Sequence, residues 1–355
     1  MKSTIWIFSL EPIETRYTAQ WHSHVPALLK NRLGDRFNVV QVDGVQKNSQ
    51  LTPGAFLNFS DTNYWKSAQM CAFLEQHNQG KTGANDHFIF TDAWNPTVIQ
   101  LKYMSDLLGF NWTLHGLWHA GSYDPQDFLG RLVGDKPWVR HAEKSFYHAF
   151  DYNYFATEFH IDMFCANLLV SDHSYKKEKC IRTGWPMEYM DDTLTMYKNM
   201  PKRDLILFPH RIAPEKQVEI FRDLATHLPQ YEFVVCQDQQ LTKNEYHNLL
   251  GEAKMVFSAN LQETLGISCY EGAVVDAIPM VPDRLSYTEM YYDMFKYDSK
   301  WTESYDSYTV YRPDLCRAIM THMDYYSTRI AHIRKQAKDL HDNFFSARGL
   351  LDNIK

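Results

Sequence analysis

Short apolar runs alternate along the chain with longer stretches in which apolar residues recur every three or four positions. In the first half, the runs cover residues 4–10, 37–42, 87–91 and 112–115. Stretches with helical spacing lie between them at residues 17–32, 62–77 and 96–108, and a further helix begins near Pro137. Because strands that are separated by helices pair in parallel, this order predicts a parallel sheet with helical connections.

The same alternation starts again in the second half. Strand-like runs cover residues 205–208, 232–236 and 254–258, and helical stretches cover residues 214–228 and 245–250. The chain between residues 184 and 203 is polar, which is typical of a domain boundary. The pattern predicts an α/β protein with two Rossmann-like domains, residues 1–185 and residues 200–312. A helical segment, residues 313–355, is expected to cross back to the first domain.

Length and composition agree with two globular domains. The chain has 355 residues, which exceeds the size at which one hydrophobic core stops growing. A cleft between two domains is the default place for an active site. Hydrophobic residues make up 45% of the chain, but no window approaches the roughly 20 apolar residues that a membrane span needs. We therefore expect a soluble, cytoplasmic protein with no membrane partner, whose apolar start at residues 5–10 is a strand rather than a signal peptide.

Charge and cysteine content exclude several classes of function. The six cysteines are far apart and form no CxxC pair, so neither a zinc site nor a disulfide framework is indicated. The net charge of −7 gives no general attraction to nucleic acid. Only a local basic face could provide it, and the helix that begins near Pro137 places Arg140, Lys144 and His148 on its outer side. The oligomeric state is left open.

Two glutamates lie eight positions apart around a predicted helix start. Glu263 follows the strand of residues 255–258, and Glu271 lies inside the helix, with Gly266 between them. Ligands of parallel sheets bind at the carboxyl ends of the strands, and a helix N-terminus attracts phosphate. A carboxylate in the helix suits ribose hydroxyls, and one in the loop suits the hydroxyls of a sugar. The alternative is that both are exposed or capping glutamates.

Two cations follow the strand of residues 205–208. Arg211 and Lys216 are five positions apart at the predicted start of the next helix. A guanidinium offers a planar pair of donors to phosphate oxygens, and an ammonium offers a mobile point charge. Together they could neutralise a diphosphate, although each alone is most often a solvated surface residue.

In this order and separation, Arg211, Lys216, Glu263 and Glu271 resemble the retaining GT-B glycosyltransferases that are similar to glycosyltransferase family 4. The resemblance covers about residues 180–285. It implies a GT-B fold, in which two parallel sheets face each other across a cleft. It also implies that the two cations bind the donor phosphates and that the two glutamates bind donor sugar and ribose. The residues expected to bind the donor with them are Thr264, Leu265 and Gly266.

The first domain carries a weaker part of the resemblance. Residues 112–116 resemble the family's strand ending in His-Gly, which implies that His115, together with Glu263, is catalytic and meets the donor sugar. His119 is a rival for this role, and a structural histidine at a strand end is the alternative. The sequence also departs from the family. Residues 11–18 lack the usual glycine-rich loop, and His210 stands where the family often has glycine.

No metal or cofactor is expected besides the nucleotide sugar, which is a co-substrate. An Asp-x-Asp motif is absent from the sequence, so the metal-dependent GT-A mechanism has no ligand set. Arg211, Lys216 and the helix dipole would stabilise the diphosphate in place of a metal ion. No GxGxxG follows a strand, which disfavours a nicotinamide-dependent enzyme. A non-catalytic nucleotide-sugar-binding protein remains the other alternative.

The acceptor is expected at loops of the first domain that are rich in aromatic and hydrogen-bonding groups. The candidates are Glu14, Arg16, Tyr17, Asn63, Trp65, Lys66, Asp92, Trp94 and His119. This character resembles viral glycosyltransferases that modify hydroxymethylpyrimidines in phage DNA with glucose or arabinose, which would place the protein in the host cytoplasm. The basic residues that would support double-stranded DNA are Arg131, Lys136, Arg140 and Lys144. The alternative acceptor is a glycan or a small molecule.

Overall fold

The computed structural model describes residues 2–13, 16–47, 49–50, 58–169 and 177–355. The chain forms two compact units. The first comprises Met1–Ala156, His160–Met187 and Arg348–Lys355, and the second comprises Thr157–Phe159 and Glu188–Ala347. No helix within the described ranges combines the length and the apolar character that crossing a membrane requires.

The first unit is built around a six-stranded parallel sheet with the strand order β2-β1-β3-β4-β5-β6. Its strands are β1 Thr4–Phe8, β2 Asn38–Val42, β3 His87–Phe90, β4 Thr113–Trp118, β5 Tyr152–Phe155 and β6 Cys180–Arg182. The helices that follow along the chain are α1 Tyr17–Leu33, α2 Phe59–Asn78, α3 Thr97–Leu108, α4 Phe128–Val133, α5 Pro137–Ala149 and α6 Glu158–Phe164. The predicted alternation of strands and helices is therefore confirmed in this half.

The core of this unit is aromatic. All five residues of β1 are buried, so both faces of the strand are covered, and the four residues after Thr4 are all apolar instead of alternating with polar ones. The ring of Phe8 stacks on that of Phe90 with 4.7 Å between centroids. Phe73 on α2 meets Trp6 and Phe88 edge-on, at 5.4 and 5.2 Å. These rings fix the sheet against α2 and hold the carboxyl ends of β1 and β3 in place.

The second unit contains a five-stranded parallel sheet with the order β11-β10-β9-β7-β8. Its strands are β7 Arg203–Phe208, β8 Glu232–Val235, β9 Ala253–Phe257, β10 Ile278–Pro282 and β11 Lys296–Tyr297. The remaining helices are α7 Tyr189–Leu194, α8 Val218–His227, α9 Lys243–Glu252, α10 Ile267–Val274, α11 Tyr287–Met290, α12 Tyr305–Asp324, α13 Tyr326–Phe344 and α14 Arg348–Leu351. The expected fold class, α/β with two Rossmann-like units, is confirmed.

For the end of the chain, the sequence predicts a helical segment, residues 313–355, that crosses back to the first domain. The helix α12 begins earlier, at Tyr305, and α12 and α13 belong to the second unit. Buried tyrosines hold them there: the Tyr308 hydroxyl donates to Asp223 Oδ2 at 2.7 Å, and the Tyr326 hydroxyl donates to the Asp276 carbonyl at 2.7 Å. Only Arg348–Lys355 belongs to the first unit.

The helix predicted for residues 214–228 is interrupted. A 3₁₀ turn, Pro214–Lys216, comes first, and α8 begins only at Val218. Between them, Gln217 has a left-handed backbone with φ of 54°. Its side-chain Nε2 donates to the carbonyl oxygens of Ala259 and Thr302, at 2.6 and 2.7 Å. These two buried hydrogen bonds offset a backbone conformation that costs a non-glycine residue roughly 1–2 kcal/mol.

Two substitutions of Gln217 separate the hydrogen bonds from the backbone strain. Gln217→Ala and Gln217→Gly both remove the donor to two buried carbonyls, so both should lower the free energy of unfolding. The glycine variant should be about 1 kcal/mol more stable than the alanine variant, because glycine adopts positive φ without steric cost. Urea unfolding of both variants measures the difference. Equal stability would contradict the assignment of strain to this residue.

Candidate functional site

The residues expected to bind the donor follow two paired strands of the second unit. His210 and Arg211 come directly after β7, and residues 258–266 connect β9 to α10. Because β7 pairs with β9 in parallel, their carboxyl ends meet at the same edge of the sheet. This topology places the loop with the cations beside the loop with Glu263.

A buried ion pair joins the two loops. Lys216 Nζ donates to the Gln262 carbonyl at 2.6 Å and lies 3.3 Å from Glu263 Oε2. The Lys216 side chain is only 8% exposed. An ammonium is buried at acceptable cost only where it is paired and hydrogen-bonded. The pair therefore fixes the 3₁₀ turn against the β9–α10 loop.

The Glu263 carboxylate is held from several directions. Its Oε1 accepts from the Thr264 backbone N–H at 3.1 Å, and its Oε2 accepts from Asn260 Nδ2 at 3.2 Å. Burial by itself raises the pKa of Glu263, but Lys216, His210 and nearby backbone N–H groups outweigh it, so that the pKa lies below its ordinary value. The carboxylate is consequently ionised and oriented.

The β9–α10 loop is braced from behind by a guanidinium. Arg284 Nε donates to the Asn260 carbonyl and Nη2 to the Ala259 carbonyl, both at 2.7 Å. Its Nη1 donates to the Ser299 carbonyl at 3.0 Å. No sequence pattern pointed to Arg284, because it contacts main-chain carbonyls far along the chain rather than forming part of a motif. Asn260 likewise was not anticipated.

His210 connects the end of β7 to α10. Its Nε2 lies 3.2 Å from the Phe257 carbonyl and its Nδ1 lies 3.3 Å from Ser268 Oγ. A carbonyl can only accept, so Nε2 carries the hydrogen and Nδ1 accepts from the serine hydroxyl. Burial lowers the pKa of His210 to about 3, and the positive charge of Lys216 acts in the same direction. The imidazole is therefore neutral in the unliganded protein.

The loop ends in a left-handed glycine before α10. Gly266 has φ of 69°, and a Cβ placed on it would lie 2.7 Å from Cε1 of Tyr287, so glycine is required for both reasons. Leu265 is buried beside it and Thr264 is also buried. The first N–H groups of α10 point out of the helix start without intrahelical acceptors, as in every α-helix.

Arg211 and Glu271 have partners other than Lys216 and Glu263. Arg211 forms an ion pair with Glu215, whose side chain is almost fully buried, while the Arg211 side chain is 37% exposed. Glu271, the fifth residue of α10, accepts at Oε2 from the Tyr246 hydroxyl at 2.8 Å. Burial raises the pKa of Glu271, and the hydrogen bond from Tyr246 opposes the rise. The two glutamates therefore have opposite pKa shifts.

His115 lies inside the sheet of the first unit. The strand β4 continues beyond His115 and Gly116 to Trp118, because Leu117 and Trp118 still pair with β5. His115 has no exposed surface, and its Nε2 lies 3.1 Å from His87 Nδ1 and its Nδ1 2.8 Å from the Tyr154 hydroxyl. Burial lowers its pKa to about 3.

His119 directly follows β4 and is half-buried. Its Nε2 donates to the Thr91 carbonyl at 2.6 Å, and its Nδ1 accepts from the Tyr17 hydroxyl at 2.7 Å. Its ring lies 4.2 Å from that of Trp185, between centroids. Two of the expected acceptor-side residues, Tyr17 and His119, are therefore in direct contact.

A second group of these residues meets at the ends of β3 and on α2. Lys66 Nζ lies 3.2 Å from Asp92 Oδ2 and also donates to the Trp94 carbonyl. Trp94 Nε1 donates to Glu143 Oε1 at 3.0 Å. Glu143 on α5 is fully buried and also accepts from the Ser122 backbone N–H and hydroxyl. Glu143 was not among the predicted site residues. Its position between Val139 and Phe146, on the buried face of α5, was the feature that could have indicated it.

The other acceptor-side residues are dispersed. Trp65 is buried, and its Nε1 donates to the Ser9 carbonyl at 2.9 Å, which is a structural contact. Asn63 is exposed and donates within its own helix. The Arg16 guanidinium carbon lies 5.7 Å from the centre of the Tyr17 ring. Glu14 lies outside the described residues.

No protein-family model and no curated protein matches this sequence. Solved structures do match its fold. Sucrose-phosphate synthase from Thermosynechococcus elongatus has a TM-score of 0.63 at 11% identity, over 99% of this chain and 97% of that one. The catalytic domain of starch synthase IV from Arabidopsis thaliana, bound to ADP and acarbose, has a TM-score of 0.60 at 10% identity, over 98% and 96%. An α,α-trehalose-phosphate synthase (UDP-forming) from Burkholderia vietnamiensis has a TM-score of 0.59 at 11% identity, over 99% and 96%. The chain therefore has the GT-B fold.

Proposed function

We propose that this protein is a retaining glycosyltransferase that moves a sugar from a nucleoside-diphosphate sugar to an acceptor hydroxyl, without a metal ion or other cofactor. The observation that carries the proposal is the buried pair of Lys216 and Glu263 beside the start of α10. It places a cation and an oriented carboxylate where parallel sheets bind ligands. The fold supports the proposal, since the similar starch synthase IV was solved with ADP.

In this proposal the diphosphate lies between Lys216, Arg211 and the start of α10. Two of the three N–H donors of Lys216 have partners among the described residues, which leaves one for a phosphate oxygen. Arg211 is part-exposed and presents a guanidinium. The first N–H groups of α10 add the positive end of the helix dipole. Within the described ranges, no three His, Cys, Asp or Glu side chains are grouped so that they could hold a metal ion.

In the same proposal, the two carboxylates bind different parts of the donor. Glu263 is ionised and lies in the loop with Thr264, Leu265 and Gly266, so we assign to it the hydroxyls of the transferred sugar. Glu271 lies deeper along α10, beside Tyr246, and we assign to it the ribose hydroxyls. The leaving diphosphate is then stabilised electrostatically, while the acceptor hydroxyl enters from the same face of the sugar.

Of the two histidines, we propose that His119 rather than His115 contacts a substrate. His119 follows the end of β4 and is half-buried, whereas His115 has no exposed surface and both of its ring nitrogens have protein partners. Burial lowers the pKa of His119, so its neutral ring would act as a contact surface and hydrogen-bonding group rather than as a cation.

Removing the cations should weaken donor binding. Arg211→Ala and Lys216→Met should each weaken the binding of ADP and UDP about ten- to a hundredfold, because a charge-assisted hydrogen bond contributes roughly 1.5–3 kcal/mol. Calorimetry measures these affinities. When the buffer contains EDTA, the same experiment tests whether binding needs a metal ion. Arg222→Ala, which removes an exposed cation on α8, is the matched control and should bind normally. Two folded variants with unchanged affinity would exclude the diphosphate assignment, and binding that required added Mg²⁺ would exclude the metal-free mechanism.

Substitutions of Glu271 and Glu263 should differ in their effects on diphosphate affinity and on turnover. Glu271→Gln should weaken the binding of the free nucleoside diphosphate and of the donor alike, because a ribose contact exists before and during reaction. Glu263→Gln should leave diphosphate affinity almost unchanged and lower kcat, because its partner is the sugar near the breaking bond. Calorimetry with the diphosphate and turnover of the nucleotide sugar give both values. An equal loss of diphosphate affinity in the two variants would show that the roles are not separate.

For the acceptor, we propose a hydroxymethylated pyrimidine in phage DNA, with glucosyl or arabinosyl transfer. The support is local: Arg131, Lys136, Arg140 and Lys144 lie on α4, α5 and the turn between them, on an otherwise acidic protein. Such cations contact the phosphate backbone, while the aromatic group around Trp94 offers a surface on which a base can stack.

A glycan or small molecule is the second candidate. At the edge of the first sheet, Glu11 and Asp92 lie near Lys66. Glu11 accepts from the Thr62 hydroxyl at 2.9 Å, and burial raises the pKa of Glu11. Such a mixture of carboxylates and one ammonium suits a neutral molecule with many hydroxyls better than an anion.

Mass spectrometry distinguishes the acceptors. Hydroxymethylated DNA and a panel of glycans, each incubated with the protein and mixed nucleotide sugars, should show a mass increase of one sugar on the DNA only. A gain on a glycan alone would exclude the DNA acceptor in favour of the second candidate. Donor hydrolysis is measured in the same samples. Its complete absence together with no transfer would indicate a non-catalytic nucleotide-sugar-binding protein.

A further inference from the structure

A histidine–serine contact connects the two loops of the proposed diphosphate site. His210 follows β7, one residue before Arg211, and Ser268 is the second residue of α10. Their side chains meet at 3.3 Å, between Nδ1 and Oγ. His210 is buried and Ser268 is half-buried, so the serine is the member of the pair that a ligand can reach.

The protonation state of His210 decides what the serine hydroxyl can do. While the ring is neutral, Nε2–H is bound to the Phe257 carbonyl, and Nδ1 accepts the hydroxyl hydrogen of Ser268. In that state the serine offers a phosphate only lone pairs. A proton on Nδ1 would reverse the contact: Nδ1–H would donate to Ser268 Oγ, and the hydroxyl hydrogen would be free to turn toward a phosphate oxygen.

Resting on the proposed function, we propose that binding of the donor diphosphate is coupled to the uptake of one proton from solvent at His210 Nδ1, which turns the Ser268 hydroxyl into a donor to the phosphate. His210 is then a positioning residue and Ser268 a binding residue. Neither role follows from the arrangement of Arg211, Lys216, Glu263 and Glu271.

The charges around His210 determine whether donor binding raises or lowers its pKa. Burial and the nearby Lys216 disfavour the imidazolium, whereas Glu263 and the Phe257 carbonyl favour it. The ring of Phe208 meets the imidazole edge-on and carries no charge. An arriving diphosphate adds negative charge and offsets the field of Lys216, so it raises the pKa of His210 from its low value in the free protein. By linkage, donor affinity should rise as the pH falls toward the pKa of His210 in the complex.

The test uses intact nucleotide sugars, whose esterified diphosphates do not titrate in this range, unlike free ADP or UDP. Calorimetry with UDP-glucose and ADP-glucose, at about pH 7.5 and about pH 5.5 in buffers of different ionisation enthalpy, gives affinity and proton uptake together. The wild-type protein should take up more of a proton per bound donor at the lower pH and bind more tightly there. His210→Gln should take up none and lose the pH dependence.

Two further variants sharpen the result. Ser268→Ala should lose about tenfold in affinity at about pH 5.5 and clearly less at about pH 7.5, since the hydroxyl reaches the phosphate only when His210 is charged. His322→Gln is the matched control. It removes another buried histidine of the same unit, on α12, whose pKa burial also lowers, to about 4, and it should behave as the wild type does.

The possible failures are distinct. Absence of nucleotide-sugar binding in the wild-type protein would overturn the proposed function itself. Binding with no proton uptake at either pH, or uptake that persists in His210→Gln, would overturn the coupling and leave the donor site in place. An equal loss at both pH values in Ser268→Ala would show that the serine contact does not depend on His210.

Discussion

The burial of the Lys216 ammonium is the constraint on which the second unit's site depends. A charge with 8% of its side chain exposed must be compensated locally, and the compensation comes from the Gln262 carbonyl and the Glu263 carboxylate. Both belong to the β9–α10 loop. The need to neutralise one lysine therefore fixes the loop that carries the oriented carboxylate.

Other main-chain carbonyls of the same loop are held by donors from distant parts of the chain. Gln217 and Arg284 both donate to the Ala259 carbonyl, and Arg284 also donates to that of Asn260. A loop with its carbonyls already committed cannot turn them toward the site, where they would repel a phosphate. The carbonyls of Ala259 and Asn260 are thereby kept away from a bound phosphate.

The sequence predicted the elements better than the contacts. Apolar runs such as residues 205–208 and the spacing of Glu263 and Glu271 depend on local order, and β7 and α10 lie where these patterns predicted them. The break at Gln217 and the brace by Arg284 depend on partners more than 15 residues away, which no local pattern records.

The balance of charge at the edge of the first sheet bears on the acceptor. At the edge of the first sheet the Lys66 ammonium is balanced by Asp92, so the pair adds no net charge for an anion. Any attraction to DNA must therefore come from the cations on α4, α5 and the turn between them. Glu143 connects the two places, because it lies on the inner side of α5 and accepts from Trp94 at the sheet edge. A DNA acceptor would therefore need both the surroundings of Trp94 and the cations around α5, whereas a small neutral acceptor would need the sheet edge alone.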